Sequence, residues 1–412
     1  MTPNEAATRA ISRCLELAHI TDEPGRTTRL FLSPAAREVQ GVVRGWMEDA
    51  GLTVTQDAAG NLRGLREIPG APTLVIGSHL DTVPDAGAYD GILGVTLALE
   101  LAEALRGEAL PFSLMVAAFS EEEGVRFGRP FIGSRAFTGT LEAGTLDGLH
   151  DANGVTPRQA MRDFGLKPDH LSQAALDPVQ TLGYLEIHIE QGPVLEAADA
   201  PVGVVTTVSG QSRLDLRFVG QAAHAGTTPM NARKDALAAA AEFILEVEKF
   251  AVKRRPLVAT VGQIAALPGA GNVIPGAVTL SLDVRHPADA ERESAVAALL
   301  ERAGEIARRR NIVFTSSTTL DQPSVPMHPD WRAGLHAAAD ALNIPAPDLP
   351  SGAGHDAMVL APLMPGAMLF VRSPGGLSHH PDEAVRPEDV QAAFRVALTF
   401  IRTLVHLPTQ EP

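Results

Sequence analysis

Apolar and polar positions along the chain follow two rhythms, and the rhythm changes near Ser209. Before that point, continuous apolar runs such as Pro72–Gly77 (PTLVIG) and Phe112–Ser120 (FSLMVAAFS) alternate with helical stretches at 37–50 and 92–106. Short apolar runs bounded by turn residues predict strands covered on both faces, as in a mostly parallel sheet. LTVTQDAAGNLRGL (Leu52–Leu65) predicts a hairpin turning at Ala58-Ala59-Gly60. The first twenty residues predict an amphipathic helix whose apolar stripe is Ile11, Leu15 and Leu17 to Ile20.

From Ser209 the alternation becomes strict. SRLDLRFVG places Leu214, Leu216 and Phe218 on one face, and LVATVGQIAAL, AVTLSLDVRHP and NIVFTSSTTL continue as strands. Two helices are predicted between them, one from about Pro229 to Ala251 opened by Thr228 and Pro229, the other from about Ala288 to Arg309. After Met327 the earlier rhythm returns, with a helix, SGAGHDA, the strand MLFVRS and a last helix. The pattern predicts an α/β catalytic domain with a central mixed, mostly parallel sheet, in two parts (1–208 and 324–412). An α+β domain is inserted at 209–323.

Composition narrows the function. A chain of 412 residues is too long for one ordinary core, and 45% hydrophobic with 20% charged residues is ordinary for a globular enzyme. No apolar run approaches the roughly 20 residues of a membrane helix, and no basic start leads into an apolar core, so neither a membrane span nor a signal peptide is expected. The single cysteine, Cys14, excludes a disulfide framework and reads as a buried structural thiol in a reducing cytoplasm. A formal charge of -15 argues against nucleic acid and anionic membranes, and means that an anionic substrate needs a locally placed arginine. PGAGNVIPG and SGAGHDA each hold only a lone GxG, too little for a nucleotide loop.

Four polar constellations sit on or after apolar strands: His79, Asp81 and Asp90; Glu121, Glu122 and Glu123; Glu186, His188 and Glu190; His379 and His380. Each alone also reads as a solvated turn or a hydrogen-bonded histidine. Together they offer only nitrogen and oxygen donors, which suits zinc, manganese, cobalt or nickel. A carboxylate able to bridge, several histidines and a spare glutamate are the parts of a two-metal hydrolytic centre. On an extended segment His79 and Asp81 point to one side, so the Asp81 carboxylate is expected to accept from the imidazole and set its tautomer.

GSHLDTV, DGILG, EEEGVRFG, HIEQGPVLE, HAGTTPM, NVIPG, DVRHP, SGAGHDA and GGLSHHPDE occur in this order. The sequence thereby resembles the M20 metallopeptidase-like amidohydrolases, and more narrowly the branch holding allantoate amidohydrolase, N-carbamoyl-L-amino-acid hydrolase and β-ureidopropionase. The resemblance spans about residues 25 to 400 and implies two divalent metal ions per subunit, with a lid domain that also forms a homodimer. It implies His79, Asp90 and His188 as ligands of one ion, with Asp90 bridging to a second held by Glu123 and His379. His380 is the neighbouring alternative to His379. It further implies Glu122 as general base, a non-proline cis bond at Asp90–Gly91, and His224 as a donor to the reacting oxygen in the partner's site. For a small anionic ureido substrate it implies Arg285, Asn272, Gln191 and the backbone of Gly352, Ala353 and Gly354. Gln211 and Arg213 are weaker candidates, and His355 and Asp356 are expected to brace the site. Arg285 is expected to stand free on the polar face of its strand, with a salt bridge to Asp283 as the alternative. The expected reaction is hydrolysis of a carbamoyl or ureido C–N bond, with allantoate first and N-carbamoyl-L-amino acids second. A peptidase, an aminoacylase or a non-catalytic metal-binding relative is the remaining alternative.

Overall fold

Thr73–His79 and Ser113–Phe119 lie parallel at the centre of the larger sheet, and every residue of the second is buried. The computed structural model describes residues 1–142 and 144–406; Ala143 and the last six positions of the expected 324–412 segment lie outside the described residues. The sheet runs in the order Thr53–Gln56, Leu62–Arg66, Ser113–Phe119, Thr73–His79, Thr181–Ile189, Gly366–Val371 and Val202–Val208. Its four middle strands are mutually parallel, while Leu62–Arg66 on one side and Val202–Val208 on the other run antiparallel to them, and Thr53–Gln56 pairs antiparallel with Leu62–Arg66. The fold is therefore mixed α/β with a mostly parallel central sheet.

That parallelism has a consequence for chemistry. Strands running the same way bring their carboxyl ends to one edge, and the loops leaving that edge can converge. Helix Ile92–Ala104 presses on the sheet, with every residue from Ile92 to Ala102 buried. A Cβ on Gly94 would sit 2.2 Å from the Ile187 carbonyl oxygen, so only glycine allows this approach. Helix Pro3–Ala18 packs against it and against helix Pro387–Thr403, burying Ala6, Ala7, Ala10, Cys14 and Leu17. Of the expected stripe, Leu17 is buried and Ile11 and Ile20 pack on the core, but Leu15 is 47% exposed, and Ala6, Ala7, Ala10 and Cys14 complete the contact face. Cys14 is buried, its Sγ is 3.4 Å from Thr96 Oγ1, and burial pushes the thiol up to about 12. It is an inert packing residue.

The chain divides into two compact units. One comprises Met1–Thr206, Pro326–Leu349 and the chain from Gly354 onward; the other comprises Thr207–Val325 with Pro350–Ala353. The second unit is an antiparallel sheet in the order Ile264–Leu267, Ala277–His286, Gly210–Val219 and Val313–Gln322, with Val258–Thr260 also paired to Ala277–His286. Strict alternation is kept along Gly210–Val219, and Leu214, Leu216 and Phe218 pack with Phe243 and Leu299 of two helices. LVATVGQIAAL does not form one strand. It breaks around Gly262 and Gln263, where Ser281 Oγ accepts the Gln263 amide at 3.0 Å.

The helix expected from Pro229 begins later, at Ala236, and runs to Val252. Its cap is Asp235, whose carboxylate accepts from the amides of Leu237 and Ala238 at 2.9 and 3.0 Å. Thr228 and Pro229 only precede a short turn at Met230–Ala232. No helix among the described residues is long and apolar enough to cross a membrane. Asp235→Ala is expected to lower stability by about 1 kcal/mol, because two helix amides lose their acceptor. Urea unfolding monitored on the helical signal measures it, and an unchanged midpoint contradicts the assignment.

Candidate metal centre

Each of the four parallel middle strands leads into one part of the centre. His79 is the last residue of Thr73–His79, Glu121 to Glu123 follow Ser113–Phe119, and His188 lies near the end of Thr181–Ile189. His379 follows Gly366–Val371 in a loop, at φ 55. Asp90 comes from the turn entering helix Ile92–Ala104. Ile76 pairs with Leu185 in parallel register, which puts His79 level with His188 three residues further on.

All three histidines aim at one carboxylate. Nε2 of His188 is 3.2 Å and Nε2 of His79 is 3.6 Å from Asp90 Oδ1, while Nε2 of His379 is 3.2 Å from Asp90 Oδ2 and 3.5 Å from Glu123 Oε1. Two donors bound to one ion at about 2.0–2.1 Å with tetrahedral angles stand roughly 3.3 Å apart, so these separations would allow the groups to share ions. Asp90 offers one oxygen to each side. The donor atoms of His79, Asp90 and His188 lie within 4.8 Å of one another, as do those of Asp90, Glu123 and His379. Glu122 groups in the same way with His79 and Glu123.

The tautomers fit cation binding. His188 Nδ1 is 2.9 Å from the Ile189 carbonyl, and His79 Nδ1 is 3.0 Å from the Asp81 carbonyl. A carbonyl only accepts, so each Nδ1 carries a proton and each ring turns its Nε2 toward Asp90, where a bound cation would replace the proton on that nitrogen. His188 Nε2 is buried and has no hydrogen-bond partner, an orphan that a cation would satisfy. Electrostatics agree. Burial opposes a charge on His79, yet Asp81 and Asp90 raise its affinity for protons well above the ordinary value. Burial likewise opposes ionisation of Asp90, but the three imidazoles hold it well below the usual carboxylate range. Burial, opposed by His79, pushes Glu122 well above that range, and burial with the Asp90 charge takes Glu123 up to about 7. So dense a group of acids in a buried place calls for compensating positive charge.

Several expectations change in detail. The Asp81 carboxylate does not chiefly serve His79, since Oδ1 is 3.5 Å from Nδ1; it accepts the amides of Glu122 and Glu123 at 3.0 Å. Its backbone carbonyl orients the ring, and its side chain pins the glutamate turn. The Asp90–Gly91 bond is trans, the cis bonds among the described residues being Arg255–Pro256 and Leu267–Pro268. Chain reversal there is supplied by Gly91 at φ 71. A Cβ on Gly91 would lie 2.4–2.5 Å from three atoms of the His79 ring, so the imidazole rests flat against this glycine. His380 stands apart, 3.8 Å from Asp382 and half exposed, which leaves His379 as the residue facing Asp90.

Gln191 is taken up by the centre itself. Its Nε2 donates to Asp90 Oδ2 at 2.9 Å and to Ser378 Oγ at 3.1 Å. Glu121 is buried with both oxygens unpartnered, and burial raises it well above the usual range. His355 packs edge-on against His188 at 4.5 Å between ring centroids, and Asp356 is buried next to it in sequence. Gly354 belongs to this unit, and Phe131 closes over it, 2.8 Å from where a Cβ would stand.

Other residues went unassigned at the level of sequence. Glu186 accepts from Ser78 Oγ and the Ala357 amide, both at 2.9 Å, and so anchors the GHDA turn. Asn61 holds the Ser120 amide and the Gly133 carbonyl, fixing the approach to the glutamates. Arg29 is buried and donates to the carbonyls of Leu80 and Leu17, at 3.1 and 2.9 Å. It locks the turn after His79, although burial brings it down to about 10. A polar residue flanked by loop signals was the only trace of Asn61 in the sequence, and Arg29 had none.

In the second unit, Arg285 is not free. Its Nε and Nη2 donate to Asp283 at 2.9 and 3.1 Å, and Nη1 donates to the Gly352 carbonyl at 2.7 Å. Residues two apart on a strand share a face, and the carboxylate takes the nearest cation. Gln211 and Arg213 also donate to Asp283, at 2.6 and 3.0 Å. Gln211, Arg285 and Gly352 are therefore gathered around one acid, and Ala353 is tied to Ser351. His224 and Asn272 come together separately: Ala223–His224 pairs with Val273–Ile274, and the Ala225 amide donates to the Asn272 carbonyl at 2.9 Å. His224 Nδ1 accepts from the Gly226 amide at 3.0 Å, which orients its ring.

Comparison with known proteins now decides the family. Residues 75–403 match the family described as Peptidase family M20/M25/M40. The chain belongs to that family. It is a hydrolase of carbon–nitrogen bonds in linear amides other than peptides, from a metal-dependent family. It is 40% identical over 393 residues to the N-carbamoyl-L-amino acid amidohydrolase of Geobacillus stearothermophilus, covering 94% of this chain and 96% of that protein. It is 37% identical over 430 residues to the allantoate deiminase of Arabidopsis thaliana, covering 96% and 82% respectively. The crystal structure of an amidase of the hydantoinase/carbamoylase family from Burkholderia multivorans superposes with a TM-score of 0.90, at 32% identity and 98% coverage of both chains.

The family member's His79–Gly91 contact yields a test. Gly91→Ala is expected to displace the His79 ring and to reduce divalent-ion content after dialysis at least tenfold, with helical content kept. Elemental analysis beside circular dichroism reads both, and undiminished ion content contradicts the geometry.

Proposed function

We propose that this chain hydrolyses the carbamoyl or ureido C–N bond of a small carboxylate, releasing ammonia and carbon dioxide. The observation that carries the reading is the Asp90 carboxylate faced on one oxygen by His79 and His188 and on the other by His379. The kinship with enzymes named for allantoate and for N-carbamoyl-L-amino acids supports the ureido class. Allantoate is the substrate proposed first. N-carbamoyl-L-amino acids come second, favoured by the 40% identity to the Geobacillus enzyme.

The donor set fits two divalent ions of the zinc, manganese, cobalt or nickel kind. His79, Asp90 and His188 would hold one, and Asp90, Glu123 and His379 the other. When bound, such ions polarise the scissile carbonyl and make the attacking water more acidic. Glu122 then takes that water's proton and returns it to the leaving nitrogen, a role suited to a carboxyl that burial makes more basic. Gln191 steadies Asp90 through its side-chain amide. Arg285, Gln211 and Asn272, with the backbone of Gly352 to Gly354, are proposed to hold the substrate. Arg285, already aligned by Asp283, would grip the carboxylate in a fork. His224 is proposed to donate to the developing oxyanion in a partner subunit. The inserted segment 209–323 would thus act as lid and dimer interface of a cytoplasmic homodimer.

The chelator-stripped chain is expected to lose activity and to regain it with manganese, cobalt, nickel or zinc. Ammonia release from allantoate, N-carbamoyl-methionine and 3-ureidopropionate then ranks the substrates, and silence across the panel removes the reading. Arg285→Lys is expected to raise KM about tenfold or more while changing kcat less, because a point charge replaces the fork. His224→Ala should retain bound metal but lower kcat by about 10²–10³; near-normal turnover would take His224 out of the mechanism.

A further inference from the structure

One buried carboxylate near the centre has no role so far. Glu383 is 5% exposed, and its Oε1 accepts the backbone amides of Tyr89 and Asp90 at 2.9 and 3.0 Å. Its Oε2 is 3.1 Å from Ser378 Oγ, which is in turn 3.0 Å from Asp90 Oδ2. The turn before Asp90 lies flush on this side chain, since a Cβ on Gly87 would stand 2.3 Å from Glu383 Cβ. One side chain therefore fastens two segments almost 300 positions apart in the sequence (roughly; Asp90 and Glu383 differ by 293). One segment carries Asp90, and the other carries His379 next to Ser378.

We propose that Glu383, acting with Ser378, is a positioning residue that sets how tightly the Asp90–Glu123–His379 half of the centre holds its ion. The two halves are built differently. His79 and His188 project from central strands, their Nδ1 atoms are tied to backbone carbonyls, and both are buried. His379 projects from a loop, its side chain is 49% exposed, and its ring has no such backbone tie among the hydrogen bonds of the described residues. What holds His379 against Asp90 Oδ2 is the loop anchor made by Ser378 and Glu383. Loss of that anchor frees the loop that carries His379, whereas His79 and His188 keep their ties to the strands, so the strand-borne half loses only what Asp90, shared by both, passes on. Outer hydrogen bonds of this kind ordinarily change metal affinity by about 10–100-fold.

This proposal rests on the metal reading, and the experiment separates the two. The chelator-stripped full chain is titrated calorimetrically with manganese chloride alone. The wild-type chain is expected to take up two equivalents, with Glu123→Ala removing one and His188→Ala the other. Ser378→Ala and Glu383→Ala are expected to weaken the equivalent that Glu123→Ala removes by about 10–100-fold. The equivalent that His188→Ala removes should stay within about threefold. Glu383→Gln keeps an acceptor for the two amides and is expected to recover part of the loss. Saturating manganese should restore most of kcat in each variant. Equal weakening of both equivalents, or of neither, overturns the proposal while leaving the metal reading intact. A wild-type chain that binds no manganese overturns both. Should Glu383→Ala fail to fold, Ser378→Ala, which deletes only a hydroxyl, decides by itself.

Discussion

Everything in the catalytic unit is organised around a single buried carboxylate that three imidazoles approach from two sides. At 2% exposure, burial drives the Asp90 carboxyl toward its neutral form, and the imidazoles oppose this and hold it well below the usual carboxylate range. The surrounding framework exists to hold those few atoms at ligand spacing. Four parallel strands bring the segments to one edge, and Gly91 gives the His79 ring a flat surface. Asp81, Asn61 and Arg29 fasten the turns that carry these side chains. A chain that kept the nitrogen and oxygen donors but loosened these supports would hold them at the wrong distances.

The second unit follows a different economy. It has its own core, with alternating strand residues packed on two helices. Its polar residues form two groups, one around Asp283 and one at the pairing of Ala223–His224 with Val273–Ile274. In the first group Asp283 fixes the direction of the Arg285 guanidinium by accepting from its Nε and Nη2.

Much of the molecule was legible in the sequence because the signals were local. A continuous apolar run means a covered strand whatever it packs against, and Ser113–Phe119 is buried at every position. Alternation means one solvated face, and Gly210–Val219 keeps it. The polar constellations could be seen for a similar reason: acids and histidines at the end of apolar runs are costly without a purpose. Local signals also misled. Thr228 and Pro229 look like a helix start, but Asp235 has the geometry to accept two amides and the helix begins behind it. Leu15 looks like core, yet the closer approach offered by Ala6, Ala10 and Cys14 turned it outward.

By itself, then, the sequence determined the kinds of element, the sharp change of rhythm near Ser209 and the stock of nitrogen and oxygen donors, because each depends on residues within a turn or two of one another. Only the tertiary structure decided which donors face which. His379 rather than His380 turns toward Asp90, Gln191 is drawn onto that carboxylate, Asp81 serves two amides more than its histidine, and Glu383 joins loops from opposite ends of the chain. Those choices depend on distances between segments that meet only when the sheet is assembled, and no local pattern carries that information.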